Sequence, residues 1–387
     1  MKTSYLLPLI TLFIFSCTQK KDDITLSEIK IDLSHISESI KTTDLTDKIE
    51  LIALETTDSS VFTSLKKIIE LNNKLYISDG KSLYIYQRNG SLIGAITHQG
   101  EGPEEYIMIT DFQIAKDGTA WILNGPKREI LQFDQSGQFL KKSKLPAKTS
   151  RIFLSDDSVL NLYGGNQIAD KDSAKVKTIK LNTNEILCES IKKDKAKSNY
   201  LHLLPANNYF ISSEGGPLFF ESFNDTIYKC DQSGIFKPVY LLNFGSHTIP
   251  AGFYNKDYSD IMQFFTQLAS TDYAYGTMLF THNKSGETWT SFAYKQQILF
   301  ASVSDESSLI APVLIENKYL GGYEIVMDDA TIFEQSDSQI IIPVWPVDLL
   351  SFIDSKPSDV KKQLLHHIGD IREDDNPLLL FLKMNDQ

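Results

Sequence analysis

Three things are scarce in this 387-residue chain: cysteine, basic charge and long apolar segments. The three Cys residues are too few to build a disulfide framework. Lys and Arg number 38 against 50 Asp and Glu, and the net charge of −12 argues against nucleic-acid binding, which requires a cationic surface. Beyond residue 16, no apolar run approaches the roughly 20 residues that a membrane-spanning helix needs.

What the chain does contain favours β-structure around a large core. Hydrophobic residues make up 42% of the sequence, which excludes wholesale disorder. The 17 Tyr and 22 Phe favour strands. Cys188 and Cys230 could form a disulfide in an extracytoplasmic compartment. They could equally be two buried free thiols, because free Cys behaves as a small hydrophobe.

The first residues, MKTSYLLPLITLFIFSC, are typical of an export signal. Lys2 provides the positive start, and the apolar run at 5–15 is too short to span a bilayer. The ending at Ser16-Cys17 resembles a bacterial lipobox, which implies lipidation of Cys17; an ordinary secreted protein is the alternative. Residues 18–23 (TQKKDD) resemble the surface-export signal of Bacteroidota lipoproteins, or form a plain polar tether. We expect a signal peptide at 1–16, a lipidated tether and leading segment at 17–45, and an outer membrane lipoprotein at the cell surface.

A repeat is visible in the turns of the chain. Residues 75–96 and 120–142 both read as strand, Gly-containing turn, strand, polar turn closing on Gly, and strand. The closing turns fall at positions 90, 137, 184 and 234, in steps of 47, 47 and 50 residues. Tight hairpin turns need positive φ, which Gly adopts readily. This spacing with short strands is typical of β-propeller blades.

The length of the repeat region predicts six blades of four strands. Residues 46–387 are assigned to this domain, with a helical insert near 257–269 and a C-terminal helix near 357–368 that opens with Ser358-Asp359. What remains is about six units of roughly 48 residues. A fifth unit is placed at 278–303, with its last turn near 295–297. Stacked β-sandwiches are the alternative, although they do not explain the equal spacing.

Two strands without partners in their own units predict how the ring closes. The strand at 48–54 opens the domain and has no blade of its own, and the strand at 376–382 lies at the opposite end. Exposed strand edges invite aggregation, so propellers usually close by combining the two termini in one blade. We therefore predict that these strands share a sheet.

A loop motif resembles a known family. Residues 98–106 read HQGEGPEEY, and two Gly and one Pro within four residues predict a sharp, stiff loop. With the blade pattern and the lipobox, this loop resembles that of the six-bladed, NHL-like β-propeller lipoproteins of Bacteroidota. Members of that family usually carry Gly at the position of Glu104. The terminal NPLLL stretch is similar to that family's last strand. The resemblance implies a fold and a cellular address, and no settled activity.

The connections between blades contain the candidate ligand residues. Such connections gather on one face, around the mouth of the central channel. There we expect either a lock between the first two blades or a ligand site at Glu101, Glu104, Glu105 and Tyr106. The next two connections are basic; they are either ordinary solvated loops or a positive patch where an acidic glycan or peptide could bind. The lysines assigned to this ligand site are Lys144, Lys148, Lys193 and Lys195.

Catalytic motifs are largely missing. There is no Gly-x-Ser-x-Gly elbow, no His-Glu-x-x-His and no Cys pair with zinc spacing. The histidines near blade junctions, His98, His202 and His247, could meet at the axis and bind a divalent cation, although lone histidines are more often structural. We assign no catalytic residue and expect no cofactor other than such a cation.

The sequence favours a lipid-anchored, monomeric, non-catalytic protein that binds an extracellular glycan, peptide or envelope partner at the channel mouth. One alternative is a metal-assisted lyase or hydrolase at the same face. Another is a scaffold that docks a partner through the 257–269 insert, with an aromatic anchor formed by Phe253, Tyr254, Tyr258, Phe264 and Phe265.

Overall fold

A computed structural model describes residues 26–62, 64–156, 158–166, 173–198, 209–328, 334–335 and 338–385. The described residues form an all-β propeller whose blades are small, mostly four-stranded sheets. Consecutive strands within a blade are antiparallel, and their alternate residues face the neighbouring blades, so the hydrophobic core lies between the sheets.

The first three blades each contain four consecutive strands. Blade 1 consists of β4 (Lys67–Leu71), β5 (Lys74–Ser78), β6 (Leu83–Gln87) and β7 (Leu92–Ile96). Blade 2 consists of β8 (Asp111–Ile114), β9 (Ala120–Asn124), β10 (Glu129–Phe133) and β11 (Phe139–Lys144). Blade 3 consists of β12 (Arg151–Asp156), β13 (Val159–Tyr163), β14 (Ala174–Lys180) and β15 (Glu185–Lys192).

Three of the next four blades combine consecutive strands with a strand from the start of the chain, and blade 5 consists of consecutive strands alone. Blade 4 consists of β16 (Phe210–Ile211), β17 (Leu218–Glu221), β18 (Asn224–Cys230), β19 (Phe236–Asn243) and β1 (Ser27–Lys30). Blade 5 consists of β20 (Tyr275–His282), β21 (Thr288–Tyr294), β22 (Gln297–Val303) and β23 (Ser308–Ala311). Blade 6 is three-stranded, with β2 (Ile40–Lys41), β24 (Val313–Glu316) and β25 (Tyr323–Val326). Blade 7 consists of β26 (Glu334–Gln335), β27 (Gln339–Val344), β28 (Leu378–Lys383) and β3 (Ile49–Ala53).

The prediction of six blades is wrong, because the described residues form seven. The additional blade is the small three-stranded sheet, in which β2 pairs in parallel with β24. Residues 313–326 have no regularly spaced turn of their own, and their partner strand is about 270 residues away in sequence. The count of equal units therefore absorbed them into the last repeat. The fifth unit also differs in detail, since residues 295–296 form its middle turn and its last turn is at 304–307.

Blade 7 joins the two ends of the domain. β28 pairs antiparallel with β3, from Leu378 opposite Ala53 to Leu382 opposite Ile49. Just before β28, the buried side chain of Asn376 donates to the carbonyl of Ser60 (2.8 Å) and accepts from the backbone N–H of Phe62 (3.2 Å). The prediction that the terminal strands share a sheet is confirmed.

Residues 27–53 form a strap along several blades. β1 pairs in parallel with β19 of blade 4, and the N–H of Ser37 donates to the carbonyl of Ile310 in blade 5 at 2.8 Å. The chain then adds β2 to blade 6 and β3 to blade 7. Ile31 and Leu33 of the strap are buried in the core between blades 4 and 5. The leading segment is thus part of the body of the fold.

Six short α-helices accompany the strands in the described ranges: α1 (Thr42–Leu45), α2 (Lys195–Ser198), α3 (Ala251–Tyr254), α4 (Ile261–Ala269), α5 (Pro346–Asp354) and α6 (Ser358–Ile368). The predicted helices near 257–269 and 357–368 correspond to α4 and α6. Asp260 caps α4 by accepting from the N–H of Gln263. In the part of the chain that the structure describes, no helix has the length and apolar character needed to cross a membrane.

The strand order divides the molecule into two faces. Because each four-stranded blade begins with its inner strand, the turns between second and third strands lie on the same face as the connections to the next blade. We call this the connection face; among its segments are residues 79–82, 97–110, 125–128, 145–150, 193–198, 222–223, 244–274 and 345–377. The other hairpin turns form the opposite, turn face.

The repeated turns have the backbone conformation that the sequence predicts. Gly90 has φ +90°, and a Cβ there would lie 2.0 Å from the carbonyl oxygen of Ala53 in the preceding blade. Asn184 occupies the equivalent corner with φ +55°. Glycine at position 90 is thus required both by its own turn and by the close approach of its neighbour.

Candidate functional site

The loop at residues 98–106 is held together by its own glutamate. The carboxylate of Glu105 accepts from the N–H of Gly102 at 2.7 Å. A Cβ on Gly100 would lie 2.0 Å from the same carboxylate oxygen. The glycine therefore leaves room for the glutamate to hold the loop closed. Glu101 and Glu104 are exposed on the connection face.

Tyr106 fastens this loop to blade 1. Its side chain is fully buried, and its hydroxyl donates towards the carbonyls of Lys81 (2.9 Å) and Ile96 (3.0 Å). Burial raises the pKa of the Tyr106 phenol far above its usual range. These contacts give Tyr106 a structural role in the lock between blades 1 and 2.

One of the four assigned lysines lies in a strand, and the other three lie in connections between blades. Lys144 ends the outer strand of blade 2; its ammonium lies 3.3 Å from Glu129, and its carbonyl accepts from Asn184 of blade 3 at 2.8 Å. Lys148 and Lys195 are exposed and Lys193 is half-buried, all in connections on the connection face.

The histidines assigned to a metal are not gathered at one place by the described residues. The ring of His98 packs 5.1 Å from that of Phe133 between blades 1 and 2. The Nδ1 atom of His247 lies 2.7 Å from the carbonyl of Asp272, between blades 4 and 5. Across the described ranges, no three His, Cys, Asp or Glu side chains are placed to share a metal ion. His202 and Cys17 lie outside the described residues.

Both other cysteines are free thiols in the structure. Cys230 is buried in blade 4, and burial raises the pKa of its thiol to about 12. The Sγ of Cys188 donates to the carbonyl of Gly234 at 3.0 Å. The Cys230 thiol is therefore not activated as a nucleophile, since nucleophilic activation requires a lowered pKa.

The structure reveals a group of charged side chains that sequence reasoning missed, where blades 3 and 4 meet at the connection face. At its centre is Glu221, at the end of β17 and only 5% exposed. Its carboxylate forms an ion pair with Lys175 and accepts from the Tyr163 hydroxyl at 3.0 Å and from the Asn224 amide at 3.2 Å. Burial, followed by the negative charge of Glu221, raises the pKa of Tyr163 well above its ordinary value.

Further charges surround this ion pair. The ammonium of Lys197 donates to the carbonyl of Phe223 and lies 4.3 Å above the ring of Tyr254. Burial, followed by the charge of Lys175, lowers the pKa of Lys197. Burial also raises the pKa of Asp225 to about 6, although the charge of Lys197 opposes this shift.

Arg151 and Tyr209 complete the group at the inner strands. The guanidinium carbon of Arg151 lies 5.6 Å from the centre of the Tyr209 ring, which in turn lies 4.5 Å from the ring of Tyr163. We call the set the blade 3–4 ionic cluster; it consists of Arg151, Tyr163, Lys175, Lys197, Tyr209, Glu221 and Asp225. Three cations face two carboxylates in it. Clusters of perturbed, partly buried groups of this kind are frequent at functional sites, and also occur as structural networks.

A weak signal of this cluster exists in the sequence. Glu221 ends the apolar run LFFE, and Lys175 lies among buried positions of β14. A charge in an apolar strand indicates a buried partner. The sequence does not identify that partner, because Lys175 and Glu221 belong to different blades and are 46 residues apart.

The aromatic residues around α4 serve the fold. Phe253, Tyr258 and Phe264 are buried with Phe223 in a cluster that packs the long connection against blade 4. Phe265 and Tyr254 are partly buried against the same cluster. These rings therefore cover a blade, and most of their surface is unavailable as a docking anchor.

Residues 27–383 match the model of a family described as a domain of unknown function, DUF4934. The match spans nearly all of the described chain, and the protein belongs to this family. No curated protein matches the sequence.

Solved structures share the fold at low sequence identity. A protein described as exported, from Bacteroides fragilis NCTC 9343, superposes with a TM-score of 0.70 at 17% identity, covering 94% of this chain and all of that one. A member of the DUF4221 family from Bacteroides vulgatus has a TM-score of 0.49 at 10% identity, with 87% and 98% of the two chains covered. Virginiamycin B lyase from Staphylococcus aureus reaches 0.37 at 12% identity, with 76% and 81% covered. At these identities, the first likeness concerns the fold alone, and the two weaker ones carry no functional argument.

Proposed function

We propose that this protein is an exported, lipid-anchored, non-catalytic binding protein whose connection face recognises an acidic extracellular polysaccharide at blades 3 and 4. One observation carries the proposal: this part of the surface concentrates positive charge in a chain with a net charge of −12. Its cationic side chains are Lys148, Arg151, Lys175, Lys193, Lys195 and Lys197. Its carboxylates are Asp194, Glu221 and Asp225.

Among the described residues of this surface, cationic side chains outnumber carboxylates by three, and this excess would attract an anionic polymer and raise its association rate. The exposed Lys148 and Lys195 and the half-buried Lys193 would contact the polymer, while the ion pair of Glu221 and Lys175 keeps the surface beneath them rigid. Glu221 already accepts from three side-chain donors. A carboxylate engaged in this way is suited to supporting a surface and poorly suited to accepting a proton from a substrate, which favours binding over catalysis.

The cellular address follows from separate residues. Cys17 would carry the lipid, and several acyl chains hold a protein at a membrane far more firmly than one. The likeness to an exported Bacteroides protein supports an envelope location. Labelling with a radioactive fatty acid should modify the native chain and not the Cys17→Ser variant, and external protease should digest the native protein on intact cells. Equal labelling of the native chain and the Cys17→Ser variant would contradict the anchor.

Charge reversal tests the binding surface. The Lys148→Glu, Lys193→Glu variant should bind a polyuronate at least tenfold more weakly than the native protein at low salt. The native affinity should fall as salt is added, because the charges are exposed. A matched control is Lys116→Glu, Lys180→Glu, which reverses two exposed charges on the turn face of blades 2 and 3. Equal loss in both variants would overturn the proposed surface, and preference for polyglutamate over polyuronate would replace the polysaccharide with an acidic peptide.

A further inference from the structure

A separate cavity opens on the turn face, away from the connection-face surface. It has a volume of about 390 Å³ and lies where the turns of blades 4, 5 and 7 approach one another. Its lining includes Lys229, Tyr240, His282, Lys284 and Ser338. The volume falls at the lower end of the range for small-molecule sites, about 300–1,000 Å³.

One wall of the cavity is aromatic. The rings of Tyr240 and His282 lie 4.5 Å apart, and the ring of His282 stacks on Phe280 behind it. The Nδ1 atom of His282 lies 2.8 Å from the hydroxyl of Thr288, which fixes the orientation of the ring. Burial, followed by the charge of Lys229, lowers the pKa of His282, so this wall is uncharged at neutral pH.

Apart from Leu218, the rest of the lining that the structure describes is polar, and its charged residues are Lys229, Lys284 and Glu214. Lys229 donates to the backbone carbonyl of Glu214 at 2.5 Å, and that interaction leaves its charge uncompensated. Lys284 forms an exposed ion pair with the Glu214 carboxylate at the rim. Two ammonium groups therefore face one carboxylate, and Ser213 and Ser338 add hydroxyl groups.

We infer that this cavity binds a small hydroxylated carboxylate, of the chemical class of the uronic acids. The Lys229 ammonium would hold the carboxylate, because a partly desolvated charge pair is much stronger than one in water. The flat wall of Tyr240 would cover the apolar face of a sugar ring, and the serine hydroxyls would bond to its hydroxyl groups. The site is distinct from the connection-face surface and does not depend on it.

Calorimetric titration with free galacturonate tests this inference, with galactose and acetate as comparison ligands at equal ionic strength. Galacturonate should bind, and the other two should bind at least tenfold more weakly. Equal binding of galactose would overturn the role of the carboxylate. Equal binding of acetate would overturn the recognition of the sugar ring, and a lack of galacturonate binding would overturn the whole site.

Variants locate the binding. Lys229→Met keeps the aliphatic stem and should weaken galacturonate binding at least tenfold. The control Lys237→Met removes a lysine that pairs with Asp231 outside the cavity lining, and should bind normally. Ser338→Phe should fill the cavity and block binding even if Lys229→Met folds poorly. If both cavity variants bind like the native protein, the inference fails.

The same titration separates the two proposals. The connection-face variant Lys148→Glu, Lys193→Glu should bind free galacturonate normally while losing the polymer. Loss of polymer binding in Lys229→Met alone would remove the proposed function and leave the cavity as the binding site. Loss of galacturonate binding in the connection-face variant alone would overturn the cavity site and leave the connection face as the binding site.

Discussion

Blades 1–3 and blades 4–7 solve the problem of exposed strand edges in different ways. In the described residues, the outer strands β7, β11 and β15 of the first three blades have no further strand beside them. From blade 4 onwards, residues 27–53 cover or extend the blades, with β1 beside β19 and Ser37 beside Ile310. One part of the molecule is open at its rim, and the other is covered by the strap.

The side chains differ accordingly. The open rim exposes apolar residues such as Leu140, which is 51% exposed, while Ile31 of the strap is only 3% exposed. The open strands also carry charges, among them Lys141 and Lys142 in β11 and Glu185 in β15. Charges on an edge strand oppose pairing with another chain. Charge therefore protects the rim from pairing with another chain where local repeats build the blades. A remote segment of the chain protects the rim elsewhere.

The largest expected effect comes from removing the strand that closes blade 7. Truncation after Asp375 removes Asn376 and β28, leaving both β27 and β3 without their shared partner. We expect the whole body to lose its cooperative thermal unfolding transition, blades 1–3 included. Circular dichroism and soluble yield would measure this, with removal of residues 386–387 as the control. A truncated protein that melts like the native one would show that the open blades fold independently of the closure.

The buried ion pair at the boundary between the two regions, where blades 3 and 4 meet, can be tested by substitution. Glu221→Gln leaves the Lys175 ammonium buried without its counter-charge, and this should lower the free energy of unfolding by about 3–5 kcal/mol. The double variant Glu221→Gln, Lys175→Met should recover much of that loss, because no unpaired charge remains. Urea titration of the three proteins would measure both effects. A loss below about 1 kcal/mol in the single variant would mean that water reaches the pair.

Matched truncations compare the covered rim with the open one directly. Ile31→Ala removes a buried side chain from the core between blades 4 and 5 and should cost about 2–4 kcal/mol. Leu140→Ala on the open rim should change stability by less than about 0.5 kcal/mol. Thermal unfolding of both variants would measure the difference. Equal losses of stability would show that side chains of the strap stabilise the fold no more than side chains of the open rim do.

The smallest effect is a pH dependence near the boundary. Burial raises the pKa of Asp225 to about 6, above its usual value, so the folded state favours the protonated form. The stabilising contribution is therefore complete below about pH 4 and is lost as the pH rises through 6. Asp225→Asn should flatten the stability profile in this window, by about 2 kcal/mol, measured as unfolding midpoints at pH 4.5 and 7. An unchanged profile would place the titration elsewhere.

Local order allowed much of the first half of the fold to be predicted. The corners at Gly90, Gly137, Asn184 and Gly234 recur at equal spacing because each closes the same hairpin, and all four have positive φ. The later blades escaped this reasoning, since blade 6 takes β2 from the start of the chain. The same limit applies to the candidate site, where basic connections are readable in sequence but the partner of Lys175 is not.

From the sequence alone we could predict the strands at 75–96 and 120–142, the recurring corners, the closing pair of termini and the positions of α4 and α6, because each depends on nearby residues or on the two ends of one ring. Only the tertiary structure decided the seventh blade, the strap, the pairing of Glu221 with Lys175 and the cavity at Tyr240. Each of these joins segments that are distant in the chain, and no periodicity records which distant segments meet. Their selection depends on the packing of whole sheets against one another, which becomes defined only when the ring is complete.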